Sequence, residues 1–203
     1  MGRIQAFDTD EVVRAARSVF WELGYEKASL PELERATGLN RSSIYHAFTN
    51  KRGLFDSVVQ SYLEEIIRPR LRVLTADPVA PDAVVVYLSG LRDALAARGT
   101  LVDNGCLLIN AAGSPISNDV QVGAVIANYR TELDAAIHAG VVAHLPAGSH
   151  AQARQLATLL TSLVITAMTL ARIDNAQSVY SIDTALQLLE TAAEAQHPAA
   201  IHS

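Results

Sequence analysis

A short segment that follows a glycine turn concentrates side chains able to donate hydrogen bonds to another molecule. Arg41 can reach O6 and N7 of a guanine through its guanidinium group, and the ring of Tyr45 can lie against a sugar or a thymine methyl. The side chains of this character are Arg41, Ser42, Ser43, Tyr45 and His46, with Ser29 and Lys51 on either side of them. Such a set matches the contacts that proteins make to DNA bases and phosphates.

A helix over residues 41–48 places these polar side chains on one face. Ile44, Ala47 and Phe48 lie at positions i, i+3 and i+4, so they are expected to share the buried face of that helix. Asn40 directly precedes the helix and can cap its first amide groups. The polar side chains are then left facing outward.

The preceding residues carry the signals of a first helix and a tight turn. Ser29 and Glu32 have the spacing of a capping box, and Pro31 suits the first turn because its missing N–H costs little there. Gly38 can adopt the left-handed conformation that ends a helix, which a residue with a Cβ resists. The segment is therefore predicted to be a helix-turn-helix, which places its second helix in the major groove of DNA.

The segment "Leu-Asn-Arg-Ser-Ser-Ile-Tyr-His-Ala-Phe-Thr-Asn-Lys-Arg-Gly-Leu-Phe", residues 39–55, resembles the recognition helix and following helix start of TetR-family transcriptional regulators. Residues 20–33 resemble the end of the family's first helix and the start of its second. One departure is Ser29, where threonine is usual and the hydroxyl is kept; another is the proline-containing run at residues 31–33. The specific match covers about the first quarter of the chain.

The resemblance implies a DNA-binding domain over residues 1–53 and an effector-binding and dimerisation domain over residues 54–203. In such a protein, two recognition helices related by the two-fold axis of a homodimer enter successive major grooves of a pseudo-palindromic, double-stranded operator. Their centres lie about 34–36 Å apart, or a multiple of that distance. A small effector, expected to be mostly apolar, binds inside the second domain and releases the DNA. The expected function is that of a ligand-responsive repressor.

The resemblance also implies which parts of the second domain form the effector site and the dimer interface. The predicted effector-binding residues are polar or aromatic positions on otherwise apolar segments: Tyr62, Tyr87, Cys106, Asn110, Asn128 and Tyr129. The predicted dimer interface comprises apolar positions of the last two helices: Leu156, Leu160, Leu163, Ala167, Leu186 and Leu189. These two helices are expected to pair with their copies in a four-helix bundle.

Cys106, the single cysteine, allows two interpretations of how the protein responds. It is predicted to lie in the first turn of a helix, where amide groups lower the pKa of a thiol. The tripeptide Gly-Cys-Leu at residues 105–107 also resembles one of a TetR subgroup in which some members sense electrophiles or oxidants. A lone cysteine is, however, more often a small buried hydrophobic residue. A redox- or electrophile-sensing regulator and a constitutive DNA-binding protein without effector remain alternatives.

Composition favours a helical, globular chain whose acidity lies outside the helix-turn-helix. Half of the 203 residues are hydrophobic, only 5% are aromatic, and the net charge is −5. Residues 1–53 carry eight Lys or Arg against seven Asp or Glu, whereas residues 54–203 carry eight against fourteen. DNA binding is therefore expected to depend on shape-matched contacts more than on bulk positive charge.

Apolar spacing predicts an all-α fold of about nine helices, the first three of which form the DNA-binding unit. The first helix is expected to run from Asp8 to Gly24, and Pro69 is expected to kink or end a later one. The later helices are expected at residues 54–74, 81–97, 105–112, 117–139 (ended by Gly140) and 149–174, then from Ser181, with a tail over residues 197–203. No pair of alternating apolar and polar runs predicts a hairpin.

Several other classes of protein lack support in the sequence. No apolar stretch precedes Asp8 in the manner of a signal peptide. The apolar run at residues 156–171 contains four threonines and a serine, so we interpret it as too short and polar to span a bilayer and expect a soluble cytoplasmic protein. The histidines lack the spacing of metal ligands and there is no catalytic motif, so no metal, cofactor or enzymatic activity is expected.

Overall fold

A computed structural model of the chain describes residues 8–195, and within this range it contains helices and no strands. The predicted all-α fold is confirmed. The described range holds nine α-helices when the irregular turns that extend α4 are counted with it: α1 Thr9–Lys27, α2 Leu30–Thr37, α3 Arg41–Phe48, α4 Lys51–Tyr62, α5 Ala83–Ala96, α6 Leu107–Ala112, α7 Val120–His144, α8 His150–Leu170 and α9 Asn175–Glu194. Short 3-10 turns at Leu101–Asn104 and Pro115–Asn118 precede α6 and α7. The predicted tail over residues 197–203 lies outside the described residues.

The regular part of the first helix ends where predicted, and a short helical turn follows it. Asp8 caps it, because its carboxylate accepts hydrogen bonds from the amides of Asp10 and Glu11. Gly24 has φ 78° and ψ 166°, which interrupts the helical geometry, but helical structure resumes and α1 ends at Lys27. The prediction that the regular helix ends at Gly24 is therefore confirmed, and only a short helical turn follows the glycine.

The helix-turn-helix forms with the predicted boundaries. The Ser29 hydroxyl accepts a hydrogen bond from the Glu32 amide, and the Glu32 carboxylate accepts one from the Ser29 amide, which completes the capping box. Gly38 follows α2 with φ 70°, and the Asn40 side chain accepts a hydrogen bond from the Ser43 amide at the start of α3. Interactions between residues close in sequence therefore determine where both helices begin and end.

Helix α4 begins earlier than predicted. The Asn50 side chain accepts a hydrogen bond from the Gly53 amide and caps the helix, so α4 starts at Lys51 rather than at Leu54. The predicted domain boundary after residue 53 therefore lies within the first turn of α4. A continuous helix joins the helix-turn-helix unit to the rest of the chain, which we refer to below as the body, residues 54–195.

Helix α4 changes its geometry close to Pro69. The turn Leu63–Ile67 is a π-helix, Arg68–Leu71 is α-helical again, and Arg72–Leu74 is a 3-10 turn. Pro69 has no N–H group with which to continue the regular i to i−4 pattern, and the widened turn lies directly before it. The irregularity predicted at Pro69 thus takes the form of a local change of pitch, and the helical path continues to residue 74.

Helix α7 runs through Gly140 to His144, so the prediction that Gly140 ends it is wrong. The glycine is instead a point of close helix packing. A Cβ built at Gly140 would lie 2.6 Å from Leu74 Cδ2 and 3.0 Å from Val84 Cβ, and both of those side chains are fully buried. The missing side chain lets α4 and α5 approach α7 closely.

Several other helix ends differ from their predicted positions. Asp119 caps α7, because its carboxylate accepts hydrogen bonds from two amides of the first turn, and Asp174 caps α9 by accepting one from the Gln177 amide. Helix α9 therefore begins at Asn175 rather than at Ser181. The remaining corrections are that α5 begins at Ala83, α6 at Leu107 and α7 at Val120, and that α8 ends at Leu170.

Helix α8 is a long apolar helix of the body. By length and composition alone, His150–Leu170 is long and apolar enough to cross a membrane, so the prediction that this stretch is too short and polar is wrong. Helix α8 packs against α7 and α9, and 44% of its most apolar window is buried within the chain. A core helix passes the same test of length and composition.

We expect Gly140→Val to lower the free energy of unfolding by about 2 kcal/mol, because the new side chain overpacks the contact of α7 with α4 and α5. Gly90 provides a matched control in the middle of α5, where a Cβ meets nothing within 4 Å. Gly90→Val should change stability by less than about 0.5 kcal/mol. Urea denaturation followed by circular dichroism measures both, and equal effects of the two variants would contradict the close packing at Gly140.

Candidate DNA-binding surface and internal cavity

The outward face of α3 presents the polar side chains that the sequence singled out. Ile44 and Phe48 are buried, whereas Ala47 is exposed, so its predicted place on the buried face is wrong. The remaining side chains comprise three that are exposed, Arg41, Ser42 and His46, and two that are half-buried, Ser43 and Tyr45. The helix thus exposes a polar face to solvent, and only Ile44 and Phe48 anchor its opposite face in the core.

Two contacts hold the beginning of α3 in place. The Arg41 guanidinium carbon lies 5.3 Å from the centroid of the Tyr45 ring, a cation–π contact that restrains the long side chain. The Arg41 amide donates a hydrogen bond to the Glu34 carboxylate of α2, which places a negative charge at the positive end of the helix dipole. The first turn of α3 is therefore fixed from both sides.

The two predicted flanking residues are engaged within the chain. The Ser29 hydroxyl donates to Glu32 Oε2 at 2.7 Å, and this hydrogen bond lowers the pKa of the Glu32 carboxyl. Lys51 Nζ lies 4.5 Å from the centroid of the Tyr25 ring and 3.5 Å from the Glu26 carbonyl oxygen. Partial burial lowers the pKa of Lys51. Ser29 must leave Glu32 before it can donate to a phosphate.

The helix-turn-helix unit is joined to the body by polar contacts near the start of α7. Arg52 pairs with Asp119 at 2.5 Å and with Asp56 at 2.8 Å. The hydrogen bond from Arg52 is the largest cause of the lowered pKa of Asp119, about 2, and the same contact raises the pKa of Arg52. The Ile116 amide donates to Glu26 Oε1 at 2.8 Å. The turn before α7 is thereby tied to both α1 and α4.

Trp21 forms a second, buried connection. Its side chain is only 2% exposed, and its indole N–H donates to the Gly105 carbonyl oxygen at 2.9 Å. The ring also meets the edge of Tyr62, with centroids 5.0 Å apart and planes at 80°. Tyr62 belongs to the wall of an internal cavity, so α1 touches that wall directly.

The cavity has a volume of about 270 Å³ and lies between α4, α5, α7 and α8. Four of the six predicted effector-binding residues line it: Tyr62, Tyr87, Cys106 and Tyr129. Asn110 and Asn128 do not, and their prediction is corrected. The Asn110 side-chain amide donates to the Asn104 carbonyl oxygen at 2.7 Å, and Asn128 is exposed on the surface of α7.

Cys106 precedes α6 rather than lying in its first turn, because its backbone is extended, with φ −102° and ψ 128°. The side chain is 1% exposed, and its thiol lies 3.7 Å from the Tyr129 hydroxyl oxygen. Burial raises the pKa values of Tyr62 and Tyr129, and the neighbouring Cys106 adds to both shifts. This surrounding fits a packed, weakly hydrogen-bonded thiol more closely than an exposed reactive one.

Sequence reasoning missed Arg70, which also lines the cavity. It lies in an arginine-rich stretch, residues 68–72, that has the composition of an ordinary solvated surface. The π-helical turn before it shifts the register of α4, so helical spacing from Tyr62 does not identify which arginine meets the cavity. The structure alone distinguishes Arg70 from Arg68, which pairs with Glu132.

The predicted dimer-interface residues fall into two groups. Leu163 and Leu186 are half-buried, whereas the other four, Leu156, Leu160, Ala167 and Leu189, are buried against their own chain. The prediction is corrected at those four positions, since a side chain inside the core cannot contact a second copy. The large apolar side chains that α8, α9 and their connection expose are Leu159, Ile173 and Tyr180.

Comparisons with known proteins agree with this geometry. The family described as "Bacterial regulatory proteins, tetR family" matches residues 12–58, from α1 into α4. The HTH-type transcriptional regulator YezE of Bacillus subtilis is 31% identical over 199 residues, which are 94% of this chain and 100% of YezE. The HTH-type transcriptional repressor ComR of Escherichia coli is 31% identical over 122 residues, and this match spans 59% of the chain and 57% of ComR.

Solved structures show the same architecture. A cysteine mutant of the TetR family transcriptional regulator CifR, complexed with 26 bp operator DNA, matches with a TM-score of 0.72 and 29% identity, over 91% of this chain and 98% of CifR. SCO4454 of Streptomyces coelicolor has a TM-score of 0.75 at 16% identity, over 90% of this chain and 94% of that one, and so supports the fold alone. The chain belongs to the TetR family of transcriptional regulators.

We expect Asp119→Asn to destabilise the protein at neutral pH, because it removes the charge that pairs with Arg52 while asparagine can still cap α7. The folded pKa of Asp119, about 2, lies below the ordinary 3.8, so its stabilisation is present above pH 3.8 and is lost as the pH falls toward 2. Urea unfolding of both proteins between pH 7 and pH 2.5 should therefore show a difference that shrinks with acidification. A difference independent of pH would contradict the ion pair.

Proposed function

We propose that this chain is a homodimeric transcriptional repressor whose α3 helices bind a pseudo-palindromic operator and whose internal cavity binds a small effector that releases the DNA. The observation that carries the proposal is the exposed polar face of α3, where Arg41 is held against Tyr45 beside a capped helix start. ComR is named a repressor and the CifR structure contains operator DNA, which supports the same activity here.

In the proposed complex α3 enters the major groove with its N-terminal turn nearest the bases. Arg41 is exposed and can form a bidentate contact with a guanine. The Tyr45 ring already restricts the Arg41 side chain in the free protein, so less conformational entropy is lost on binding. Ser42, Ser43 and His46 lie on the same polar side of α3 and can donate to phosphates or bases. Lys51 contributes charge at the edge of the unit.

Operator binding by this geometry requires two copies of α3, and α8 and α9 offer the surface through which two chains can pair. Leu159 is 54% exposed on α8, and Tyr180 is 62% exposed on α9. Leu163 and Thr166 follow Leu159 at helical spacing on the same side of α8. Large apolar side chains exposed on adjacent helices are typical of a protein–protein interface.

Release of the DNA requires the effector to bind the DNA-free conformation more tightly than the DNA-bound one. Tyr62 lines the cavity and contacts Trp21 of α1, so a ligand that moves Tyr62 changes the packing of the DNA-binding unit. The turn Pro115–Asn118 provides a second route, because its Ile116 amide is bonded to Glu26 and the adjacent Asp119 is paired with Arg52. Either movement alters the separation of the two α3 helices.

Two alternatives receive less support. A constitutive DNA-binding protein needs no internal cavity, yet one of about 270 Å³ lies beside the helix that carries the DNA-binding unit. A sensor acting through Cys106 needs an accessible thiol, yet this side chain is 1% exposed. The buried cysteine and the cavity together favour reversible binding of a small molecule.

We expect Arg41→Ala to weaken operator binding by about 1–3 kcal/mol, roughly 5–150-fold, and to relax sequence preference, because one bidentate base contact is lost. Fluorescence anisotropy with DNA that flanks this protein's own gene measures the affinity across a salt series. Tyr45→Ala should weaken binding, whereas Tyr45→Phe, which keeps the ring beneath Arg41, should stay closer to the wild type.

Arg130→Ala is the matched control, because it also removes an exposed arginine but on α7, outside the helix-turn-helix. Equal affinity of Arg41→Ala, Arg130→Ala and the wild type for the operator would exclude α3 as the helix that binds bases. Circular dichroism of each variant verifies that the helices are intact.

We expect Leu159→Arg to convert the dimer into a monomer, because it places a charge within the proposed apolar interface. Sedimentation velocity at micromolar concentration measures the change. Val120→Arg is the control, since Val120 is 86% exposed at the start of α7 rather than on the paired helices. A variant at Leu159 that remains dimeric would place the interface on another surface.

A further inference from the structure

The lining of the cavity is mostly apolar and contains one charged side chain. Its walls are formed mainly by apolar side chains of α4, α5, α7 and α8, among them Leu71, Leu91, Leu133, Val164 and Met168. Among the described residues that line the cavity, Arg70 is the only charged one, and no Asp, Glu, Lys or His accompanies it. The cavity therefore carries a net positive charge within an otherwise acidic body.

Arg70 lies where the cavity meets solvent, because its side chain both lines the cavity and is exposed. Its neighbour Arg68 pairs with Glu132 of α7 at 3.5 Å. Arg70 has no ion pair with any carboxylate in residues 8–195. A guanidinium without a counter-charge at the entrance to an apolar cavity favours an anionic ligand, and its planar fork matches a carboxylate.

The tyrosines add neutral hydrogen-bond donors to the same region. Burial raises the pKa of Tyr87 and of Tyr62, so both keep their hydroxyl protons at neutral pH. The positive charge of Arg70 acts on both pKa values in the opposite direction, and all three side chains line the cavity. The lining of the cavity therefore combines one charged fork with two phenol groups.

The volume limits the size of the ligand. About 270 Å³ lies just below the range of roughly 300–1,000 Å³ typical of sites that enclose drug-sized molecules. The apolar walls favour a hydrocarbon body, since each methylene that they remove from water contributes about 0.8 kcal/mol. A second charge on the ligand would have no partner among the lining residues.

We propose, resting on the regulatory function proposed above, that the effector is a small organic monocarboxylate with an apolar body, whose carboxylate pairs with Arg70 while its body lies against Leu91, Leu133 and Met168. This assignment adds one negative charge to the mostly apolar effector that the sequence predicts. Arg70 is then the residue that determines the preference for a carboxylate over an uncharged ligand.

Isothermal titration calorimetry with two matched pairs of probes tests the proposal. Octanoate is compared with octanamide, and 4-butylbenzoate with 4-butylbenzamide, so that each pair differs in charge at nearly constant shape. The wild type should bind each acid at least tenfold more tightly than its amide. Trp21, the single tryptophan, should report the same binding by a change in fluorescence, because it contacts Tyr62 in the cavity wall.

Variants at neighbouring arginines separate a cavity contact from general surface charge. Arg70→Gln should reduce the preference for the acids to less than threefold, and Arg70→Lys should restore part of it. Arg72→Gln removes the same charge two residues away at an exposed position that does not line the cavity, and it should keep the full preference. Thermal unfolding confirms that each variant is folded.

Equal binding of acids and amides by the wild type would overturn the proposal, as would absence of binding by all four probes at millimolar concentration. An equal loss in Arg70→Gln and Arg72→Gln would also overturn it, because the effect would then be one of bulk charge. These titrations contain no DNA. Failure of the wild type to bind operator in the anisotropy assay would therefore reject the regulatory function without altering the result on ligand class.

Discussion

The buried indole of Trp21 is the interaction on which the relation between the two halves of this protein depends. An indole N–H taken out of water must find an acceptor, since an unsatisfied buried donor costs about 1–3 kcal/mol. The Gly105 carbonyl oxygen provides it, and the ring packs against Tyr62. Gly105 precedes Cys106, and both Cys106 and Tyr62 line the cavity. One side chain of α1 thus holds the DNA-binding unit against the cavity wall.

Ion pairs also connect the helix-turn-helix unit to the body. Three basic residues of the first 53, Arg14, Arg17 and Arg52, form ion pairs with acidic side chains of the body. These pairs join the two parts of the chain and remove positive charge from the field available to DNA. The nearly neutral helix-turn-helix must therefore bind through oriented contacts such as that of Arg41 on Tyr45, and its affinity depends on geometry more than on total charge.

The sequence predicted the helix-turn-helix accurately because its signals are local. The capping box of Ser29 with Glu32, the turn at Gly38 and the cap at Asn40 each involve residues within four positions of one another. Gly140 illustrates the opposite case. Glycine after an apolar helix is typical of a helix end, but here the neighbouring helices α4 and α5 require a position without a side chain, and no local pattern contains that information.

Residue types and helical spacing by themselves determined an all-α chain, the extent of α2 and α3, and the polar face of α3, because these depend on neighbours along the chain. They also indicated four cavity residues, since tyrosine and cysteine stand out on apolar segments. Only the tertiary structure decided that Arg70 meets the cavity, that Asn110 and Asn128 do not, and that Leu159 rather than Leu160 is exposed. Which side of a helix is covered depends on distant helices, and for that reason it becomes visible only when all of them are packed together.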